Sequence, residues 1–138
     1  MDHKITLKTG DACNLPLEDE SFDAITISFG IRNVPDVPKA LREMHRVLRA
    51  GGKAMILEFS IPKNPIVRFG HLFYLRHVLP TVGGLISGDK AAYRYLNTSI
   101  EAFPYGQDFA NLMTEAGFTQ ANVHPVTLGI ANIYEGVK

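Results

Sequence analysis

Apolar and polar residues alternate between Asp23 and Phe29, and this alternation predicts a β-strand. One face of the strand would carry Ile25, Ile27 and Phe29, and the other Ala24, Thr26 and Ser28. The pattern stops at Gly30, and Pro35 and Pro38 exclude a regular helix or a central strand between Gly30 and the start of the next element. We therefore predict a loop over residues 30–37, which carries the polar residues Arg32 and Asn33. It leaves the carboxyl end of a strand, the edge where open α/β sheets bind ligands.

The next stretch has the spacing of an amphipathic helix over residues 39–49. Its apolar positions are Ala40, Leu41, Met44, Val47 and Leu48. Gly51 and Gly52 predict a left-handed end to this helix, and residues 54–59 then predict an apolar strand. A strand, a helix and a second strand in this order indicate a right-handed β-α-β crossover.

Weaker signals flank this unit. Residues 4–8 alternate and predict a short strand, and residues 11–21 have the composition of a loop. Residues 66–79 predict an apolar helix that Pro80 ends. This helix is too short and too charged for a typical membrane span of about 20 apolar residues. Two interpretations of it stay open: packed core, or a surface that covers an apolar ligand or contacts a membrane.

Glycines at 83, 84 and 88 are expected to loosen the backbone before another helix over residues 89–102, with Asp89 as its cap. A further helix is predicted over residues 107–116, with Gly117 at its end.

The last part of the chain predicts an antiparallel hairpin. Residues 119–126 and 130–137 are rich in β-forming side chains and are separated by a turn near Gly129. Pro125 would fit at an edge or a bulge, because proline cannot donate to a sheet ladder.

Composition narrows the possible functions. The 138 residues suffice for one domain with a real core, and 14 basic residues balance 14 acidic ones, which argues against a protein that tracks nucleic-acid phosphates. Cys13 is the only cysteine, so the chain can form no internal disulfide. His71 and His77 are six apart and lack a nearby carboxylate set, so a metal site is not expected. No secretory signal is visible at the start, and we predict a cytoplasmic location.

Several motifs follow one another in a fixed order. They are Gly10-Asp11-Ala12, Phe29-Gly30-Ile31-Arg32-Asn33-Val34, Leu57-Glu58-Phe59-Ser60, Tyr93-Arg94-Tyr95-Leu96 and Ala116-Gly117-Phe118. Through them almost the whole chain resembles the menaquinone and ubiquinone C-methyltransferase family. The helix and its Gly-Gly pair would suit many S-adenosylmethionine methyltransferases, whereas the loop motif combined with Tyr-Arg-Tyr-Leu is specific to this family.

The resemblance implies an α/β fold: part of a Rossmann-like class I methyltransferase sheet, ending in an antiparallel hairpin. The complete family sheet has the strand order 3-2-1-4-5-7-6. The family reaction moves a methyl group from S-adenosylmethionine to a ring carbon of a prenylated quinol. The sequence leaves demethylmenaquinone and a polyprenyl benzoquinol both open as substrates, with a preference for menaquinone biosynthesis.

The resemblance also implies cofactor contacts. Asp11 would accept a hydrogen bond from the exocyclic amine of adenine, and the Ala12 amide would donate to a ring nitrogen. Ser28 would line the cofactor pocket. Without the family likeness, Asp11 is a turn residue after Gly10, and Ser28 is a small residue packed beneath a helix.

Arg32 is the predicted catalytic residue. It stays protonated at neutral pH, so it would stabilise a developing phenolate or orient a water that takes the proton. Asn33 would hold the cofactor or the loop. The alternative is that Arg32 bridges to a carboxylate and Asn33 caps a turn. Tyr93 and Tyr95 are predicted to border the quinol pocket, or else to be core aromatics.

Residues 1–138 would form the C-terminal part of a single methyltransferase domain that lacks its first two βα units. The expected consequences are that the chain alone is inactive, binds S-adenosylmethionine poorly and self-associates, most economically as a homodimer, through an unpaired strand. The competing interpretation is a non-catalytic fragment or interaction module.

Overall fold

The structure is a computed structural model, and it describes residues 4–138. Four strands form one sheet in the order β1-β2-β4-β3, with β1 parallel to β2 and the two remaining pairs antiparallel. The strands are β1 (Phe22–Ser28), β2 (Leu48–Phe59), β3 (Thr119–Val126) and β4 (Ala131–Val137). This order corresponds to 4-5-7-6 of the predicted class I sheet, so the predicted fold class is confirmed.

Five α-helices accompany the sheet: α1 (Val37–Val47), α2 (Pro65–Phe73), α3 (Leu79–Ser87), α4 (Lys90–Ala102) and α5 (Gln107–Glu115). A π-helical segment, Tyr74–Val78, joins α2 to α3. We call the part from α2 to α4 the helical unit. In residues 4–138, no helix is both long enough and apolar enough to cross a membrane.

The β1-α1-β2 unit forms because the capping residues and the spacing of apolar residues favour the same helix. The side chain of Asp36 accepts a hydrogen bond from the Lys39 amide at 3.0 Å, which caps α1, and Pro38 lies in the first turn, where its missing amide costs nothing. The helix then buries Leu41 and Met44 against the sheet. The predicted strand, helix and parallel strand are confirmed.

The main core lies on one face of the sheet, between α1 and α5. It contains ten buried residues, namely Ile31, Leu41, Met44, Leu48, Ala54, Ile56, Phe109, Met113, Phe118 and Tyr134. The opposite face exposes Met55, and Phe22 of β1 is also exposed. A smaller core around Ile61, Leu75 and Ile100 holds the helical unit against the end of β2.

Two predictions near the N-terminal side are wrong. Residues 4–8 form no strand, and Ile5 and Leu7 are exposed, because no described strand pairs with them. Gly51 and Gly52 do not end α1, which stops at Val47, directly before β2. They lie within β2, where the register with β1 shifts. Gly51 has a φ of 81°, and a Cβ on Gly52 would lie 2.8 Å from the carbonyl oxygen of Arg49.

The prediction that Pro80 ends a helix is also wrong. Pro80 lies in the first turn of α3, where proline is tolerated, and the helix runs on to Ser87. Gly83 and Gly84 are buried inside this helix and do not loosen it, since Gly83 makes room for the Tyr93 ring. Gly88 ends the helix with a φ of 76°.

The remaining elements are confirmed. Asp89 caps α4 by accepting from the Ala92 amide at 2.9 Å, and Gly117, with a φ of 110°, follows the end of α5. The hairpin forms from β3 and β4, and Pro125 lies in β3, an edge strand.

Candidate active site

The loop after β1 turns sharply at the carboxyl end of the parallel strands. Phe29 has a φ of 54°, and its amide donates to the carbonyl of Leu57 at 2.8 Å, the last bond to β2. A single 3₁₀ turn, Ile31–Asn33, follows, and it is anchored by the fully buried side chain of Ile31. This turn places Arg32 over the end of the sheet and Asn33 at the surface.

Arg32 makes a buried ion pair with Glu58. Its Nη1 lies 2.5 Å from the Glu58 Oε1, and the two side chains are 6% and 1% exposed. Its Nε donates to the Ser99 hydroxyl at 3.0 Å, and its guanidinium carbon lies 5.6 Å from the centre of the Phe59 ring. The alternative interpretation of Arg32, a bridge to a carboxylate, is therefore present in the structure; its catalytic role stays a prediction.

Glu58 is held independently of Arg32, because its Oε1 also accepts from the Phe59 amide at 2.9 Å. Neither Glu58 nor Ser99 is among the site residues predicted from the sequence. The signal for Glu58 was available, since a carboxylate inside the apolar run of β2 needs a buried partner. Ser99 gave no such signal, because nothing local links a helical serine to an arginine 67 residues away.

Asn33 and Tyr95 come together, as the Tyr95 hydroxyl donates to the Asn33 Oδ1 at 3.3 Å. Tyr95 is 60% exposed, so it borders open space beside the loop. Tyr93 is half-buried and packs over Gly83 in α3, as a core aromatic would. The structure thus places Tyr95 beside Asn33, but packs Tyr93 between the helices.

Phe29 and Phe59 add an aromatic pair at the ends of β1 and β2. Their ring centres are 4.6 Å apart with the planes tilted by 35°. Phe29 is 40% exposed. An accessible aromatic surface therefore lies next to a buried cation, a combination suited to a flat ring that gains negative charge.

The predicted cofactor residues do not form one cluster. Asp11 and Ala12 lie in the loop before β1, whereas Ser28 lies at the end of β1, exposed on the face away from Ile27 and the main core. Asp11 accepts from the Cys13 amide at 2.8 Å, so the turn role of Asp11 is observed. This bond uses one carboxylate oxygen and leaves the other for a ligand.

The loop that carries Asp11 is fastened to α1 by Arg46. Arg46 donates to the carbonyl of Leu17 at 2.8 Å and to the carboxylate of Asp19 at 2.6 Å, while Glu43 accepts from the Leu15 amide. No local pattern in the sequence predicts this anchor. It holds the backbone around Ala12 against the helix without any regular secondary structure.

The surroundings of Ala12 fit the adenine end of S-adenosylmethionine. Ala12 borders a cavity of about 150 Å³ whose walls include Ile25, Ile27 and Ile31. A flat apolar ring matches these apolar walls. Asp11 precedes Ala12 in the chain but does not itself line the cavity.

A second polar cluster continues from Glu58 across the sheet. Glu58 is paired in register with Asn132 of β4, and the Asn132 amide donates to the Ser60 hydroxyl at 2.9 Å and to the Tyr134 hydroxyl at 3.1 Å. The Gly106 amide also donates to the Tyr134 hydroxyl, at 2.8 Å. Burial raises the pKa of Tyr134, and the Glu58 carboxylate adds to the increase, so this phenol stays neutral.

His71 is buried in α2, and burial lowers the pKa of its imidazole, although the Ser60 backbone and Glu101 oppose the shift. Its Nε2 makes no hydrogen bond to any group in residues 4–138. The same residues contain no group of three or more side chains placed to hold a metal ion.

The strand order, with a candidate site at the carboxyl end of the parallel strands, is that of the class I S-adenosylmethionine-dependent methyltransferases. A Thermotoga maritima S-adenosylmethionine-dependent methyltransferase, described as a possible histamine N-methyltransferase, has a TM-score of 0.62 at 21% identity, over 94% of this chain and 62% of that chain. A methyltransferase from Aquifex aeolicus has a TM-score of 0.60 at 15% identity, over 96% and 54%. At these identities the likeness shows the fold alone.

The sequence model of the ubiE/COQ5 methyltransferase family matches residues 1–138. A ubiquinone/menaquinone biosynthesis C-methyltransferase of Geobacter sp. is 47% identical over 135 residues, which are 98% of this chain and 57% of the relative. A demethylmenaquinone methyltransferase of Clavibacter sepedonicus is 42% identical over 137 residues, 99% of this chain and 56% of the relative. The chain belongs to the ubiE/COQ5 methyltransferase family, and it spans a little over half the length of these relatives.

Proposed function

We propose that this chain supplies the quinol-activating side of an S-adenosylmethionine-dependent methyltransferase that methylates a ring carbon of a prenylated quinol. The names of the relatives support quinone biosynthesis as the setting. The single observation that carries the proposal is the buried guanidinium of Arg32 over the Phe59 ring, which pairs with the accessible Phe29 ring.

The chemistry requires a phenolate. Removing a proton from a quinol hydroxyl pushes electron density onto the ring carbon, and S-adenosylmethionine, when bound, supplies the electrophilic methyl group. Arg32 stays protonated and therefore donates hydrogen bonds to the developing oxyanion, or orients a water that takes the proton. Because the guanidinium is shielded from bulk water, its attraction for the oxyanion is stronger than at an exposed site.

The other predicted site residues have supporting roles in the proposal. Asp11 and Ala12 bind the adenine end of the cofactor, and Ser28 lines its pocket. Asn33 holds the cofactor or the loop, and Tyr95 borders the quinol beside it. Tyr93 packs over Gly83 of α3, and its place at the border of the quinol pocket stays a prediction.

Demethylmenaquinone is our preferred substrate, and a polyprenyl benzoquinol is the alternative within the same chemistry. A non-catalytic fragment or interaction module is the competing function class. The test uses the longest natural chain that contains this sequence, with a deuterated methyl donor and both quinols. A ring-methylated product supports the proposal, whereas methylation of oxygen alone, or of neither quinol, contradicts it.

We expect Arg32→Ala to lower the turnover number for the quinol by about 10²-fold or more, and to change the affinity for S-adenosylmethionine much less. An interaction with the oxyanion acts mainly in the transition state. Steady-state kinetics and calorimetric titration of the cofactor measure the two quantities, and Arg42→Ala, at an exposed position of α1, is the control. An unchanged turnover number would remove Arg32 from the mechanism.

We also propose that the protein is cytoplasmic and contacts the membrane peripherally through α2 and α3. A row of exposed apolar side chains follows this helical stretch, comprising Ile66, Phe69, Phe73, Val82, Leu85 and Ile86. Phe69 is 74% exposed and its ring lies 6.5 Å from that of Phe73. Large exposed apolar patches mark interaction sites, and a prenylated quinol resides in lipid.

The charge of the helical unit favours an anionic lipid surface. Between residues 63 and 101 there are five basic residues and only two acidic ones, in a chain whose net charge is zero. Arg68 is exposed next to Phe69, and within residues 4–138 it has no ion-pair partner. Amphipathic helices with this arrangement lie in the interface and bind anionic lipids more strongly.

We expect the chain to sediment with vesicles of phosphatidylcholine and phosphatidylglycerol, and less with phosphatidylcholine alone. Phe69→Ser combined with Phe73→Ser should weaken binding by roughly tenfold or more, because each buried phenyl group contributes about 1.5–3 kcal/mol. Leu128→Ser, at an exposed position of the hairpin turn, is the control. Equal sedimentation of the double variant and the unaltered chain would contradict the proposal.

Finally, we propose that the 138-residue chain self-associates through β1, most economically as a homodimer. Both sheet edges in residues 4–138 are unpaired. The β3 edge carries Pro125 and a register shift, which discourage pairing, whereas β1 is regular from Ala24 to Ser28.

We expect Thr26→Lys to shift the mass measured by light scattering towards the monomer, and Asn122→Lys on β3 to leave it unchanged. A monomeric unaltered chain would refute this.

A further inference from the structure

We propose that Glu58 and Ser99 are positioning residues for Arg32, and that they leave one terminal nitrogen of its guanidinium, Nη2, free to face the reacting oxygen. This inference rests on the proposed function for the identity of the reaction. The geometry itself does not depend on that function.

The guanidinium is a planar fork with donors on three nitrogens. Its Nε donates to Ser99 at 3.0 Å and its Nη1 to Glu58 at 2.5 Å. Among residues 4–138, Nη2 makes no hydrogen bond. Because the group is rigid, fixing two nitrogens in different directions also fixes the direction of the third.

Each partner of Arg32 is also oriented by a hydrogen bond to another group. The Ser99 hydroxyl donates its only proton to the carbonyl of Leu96 at 2.9 Å, so it meets Arg32 as an acceptor. Glu58 accepts from the Phe59 amide, which orients its carboxylate at the end of β2. Such preorganised partners reduce the entropy lost when Arg32 meets a ligand.

The three elements involved are distant in sequence. Arg32 follows β1, Glu58 ends β2, and Ser99 lies on α4. Tyr95 and Ser99 are one helical turn apart on α4, and they contact the neighbouring residues Asn33 and Arg32. One face of α4 therefore holds both polar residues of the loop, and ties them to the helical unit that we propose to contact lipid.

The pairing also sets the charge of the site. Glu58 balances Arg32, so the buried pair has no net charge until a phenolate forms beside it. Nη2 can then donate a hydrogen bond to the oxyanion while the pair stays intact. Removing Ser99 would release Nε and let the fork rotate, which lowers the rate of the chemical step without removing a contact to the quinol.

The test is a kinetic double-mutant cycle in the longest natural chain that contains this sequence. Ser99→Ala should lower kcat roughly tenfold with little change in KM, as loss of one hydrogen bond to a charged group predicts. Thr98→Ala removes a hydroxyl from the neighbouring exposed position of α4 and should have no effect. Ser99→Thr, which restores a hydroxyl, should recover most of the lost rate.

In an Arg32→Ala background, Ser99→Ala should have no further effect on kcat, because it acts through Arg32. The same fold-loss in both backgrounds would show a general structural role and overturn the proposal, as would full kcat in Ser99→Ala. Glu58→Gln is a second probe, but it leaves a buried cation unpaired and so risks misfolding. The cycle with Ser99 avoids that risk.

A second measurement on the 138-residue chain separates this inference from the proposed function. The Nε–H of Arg32 should exchange with solvent at least about tenfold more slowly than that of the exposed Arg42 in nitrogen-15 NMR, and Ser99→Ala should abolish the difference. If the protein methylates no quinol but this protection is present, the proposed function fails alone. If Arg32 exchanges as fast as Arg42, the positioning is wrong, whatever the activity.

Discussion

The buried ion pair between Arg32 and Glu58 is the interaction on which the site depends. Burying two charges carries a desolvation cost of several kcal/mol per ion, which is offset only when the geometry is good and further hydrogen bonds are made. Both conditions are met, since Glu58 also accepts from the Phe59 amide and Arg32 also donates to Ser99. The pair joins the loop after β1 to the end of β2, and Ser99 adds α4.

The sheet around the pair combines two strand arrangements. The parallel β1 and β2 bring Phe29 and Phe59 to one edge, where the carboxyl ends of parallel strands meet. The antiparallel β4 then places Asn132 opposite Glu58, and Asn132 connects the site to Tyr134. The polar residues thus form a continuous band across the end of the sheet, above an apolar core between α1 and α5.

Much of this architecture could be predicted from sequence, because the patterns were locally consistent. The spacing of apolar residues predicted α1, and the alternation predicted β1. Asp89 correctly predicted the start of α4, and Gly117 the end of α5. The failures have physical causes. Alternation at residues 4–8 cannot make a strand without a partner, and Gly51 matched a helix end as well as a bend within a strand.

The site was predictable only in part, for a related reason. Arg32, Asn33 and Tyr95 could be singled out through their motifs, and the structure brings these three residues together. The roles of Ser99 and Arg46 could not be predicted, because their partners are distant in sequence and each contact depends on how separate elements pack. Tyr93 belongs to the same motif as Tyr95, but its ring packs over Gly83 of α3. Membership of a motif therefore did not predict where this side chain lies.

The central claim is that the Arg32–Glu58 pair organises the end of the sheet, and a stability cycle on the 138-residue chain tests it most directly. Denaturant unfolding would be measured for the unaltered chain, Arg32→Met, Glu58→Gln and the double variant. Breaking the buried pair by either single change should cost about 3–5 kcal/mol, and the double variant should cost far less than the sum of the two. Strictly additive losses, or singles within about 0.5 kcal/mol of the unaltered chain, would contradict the account.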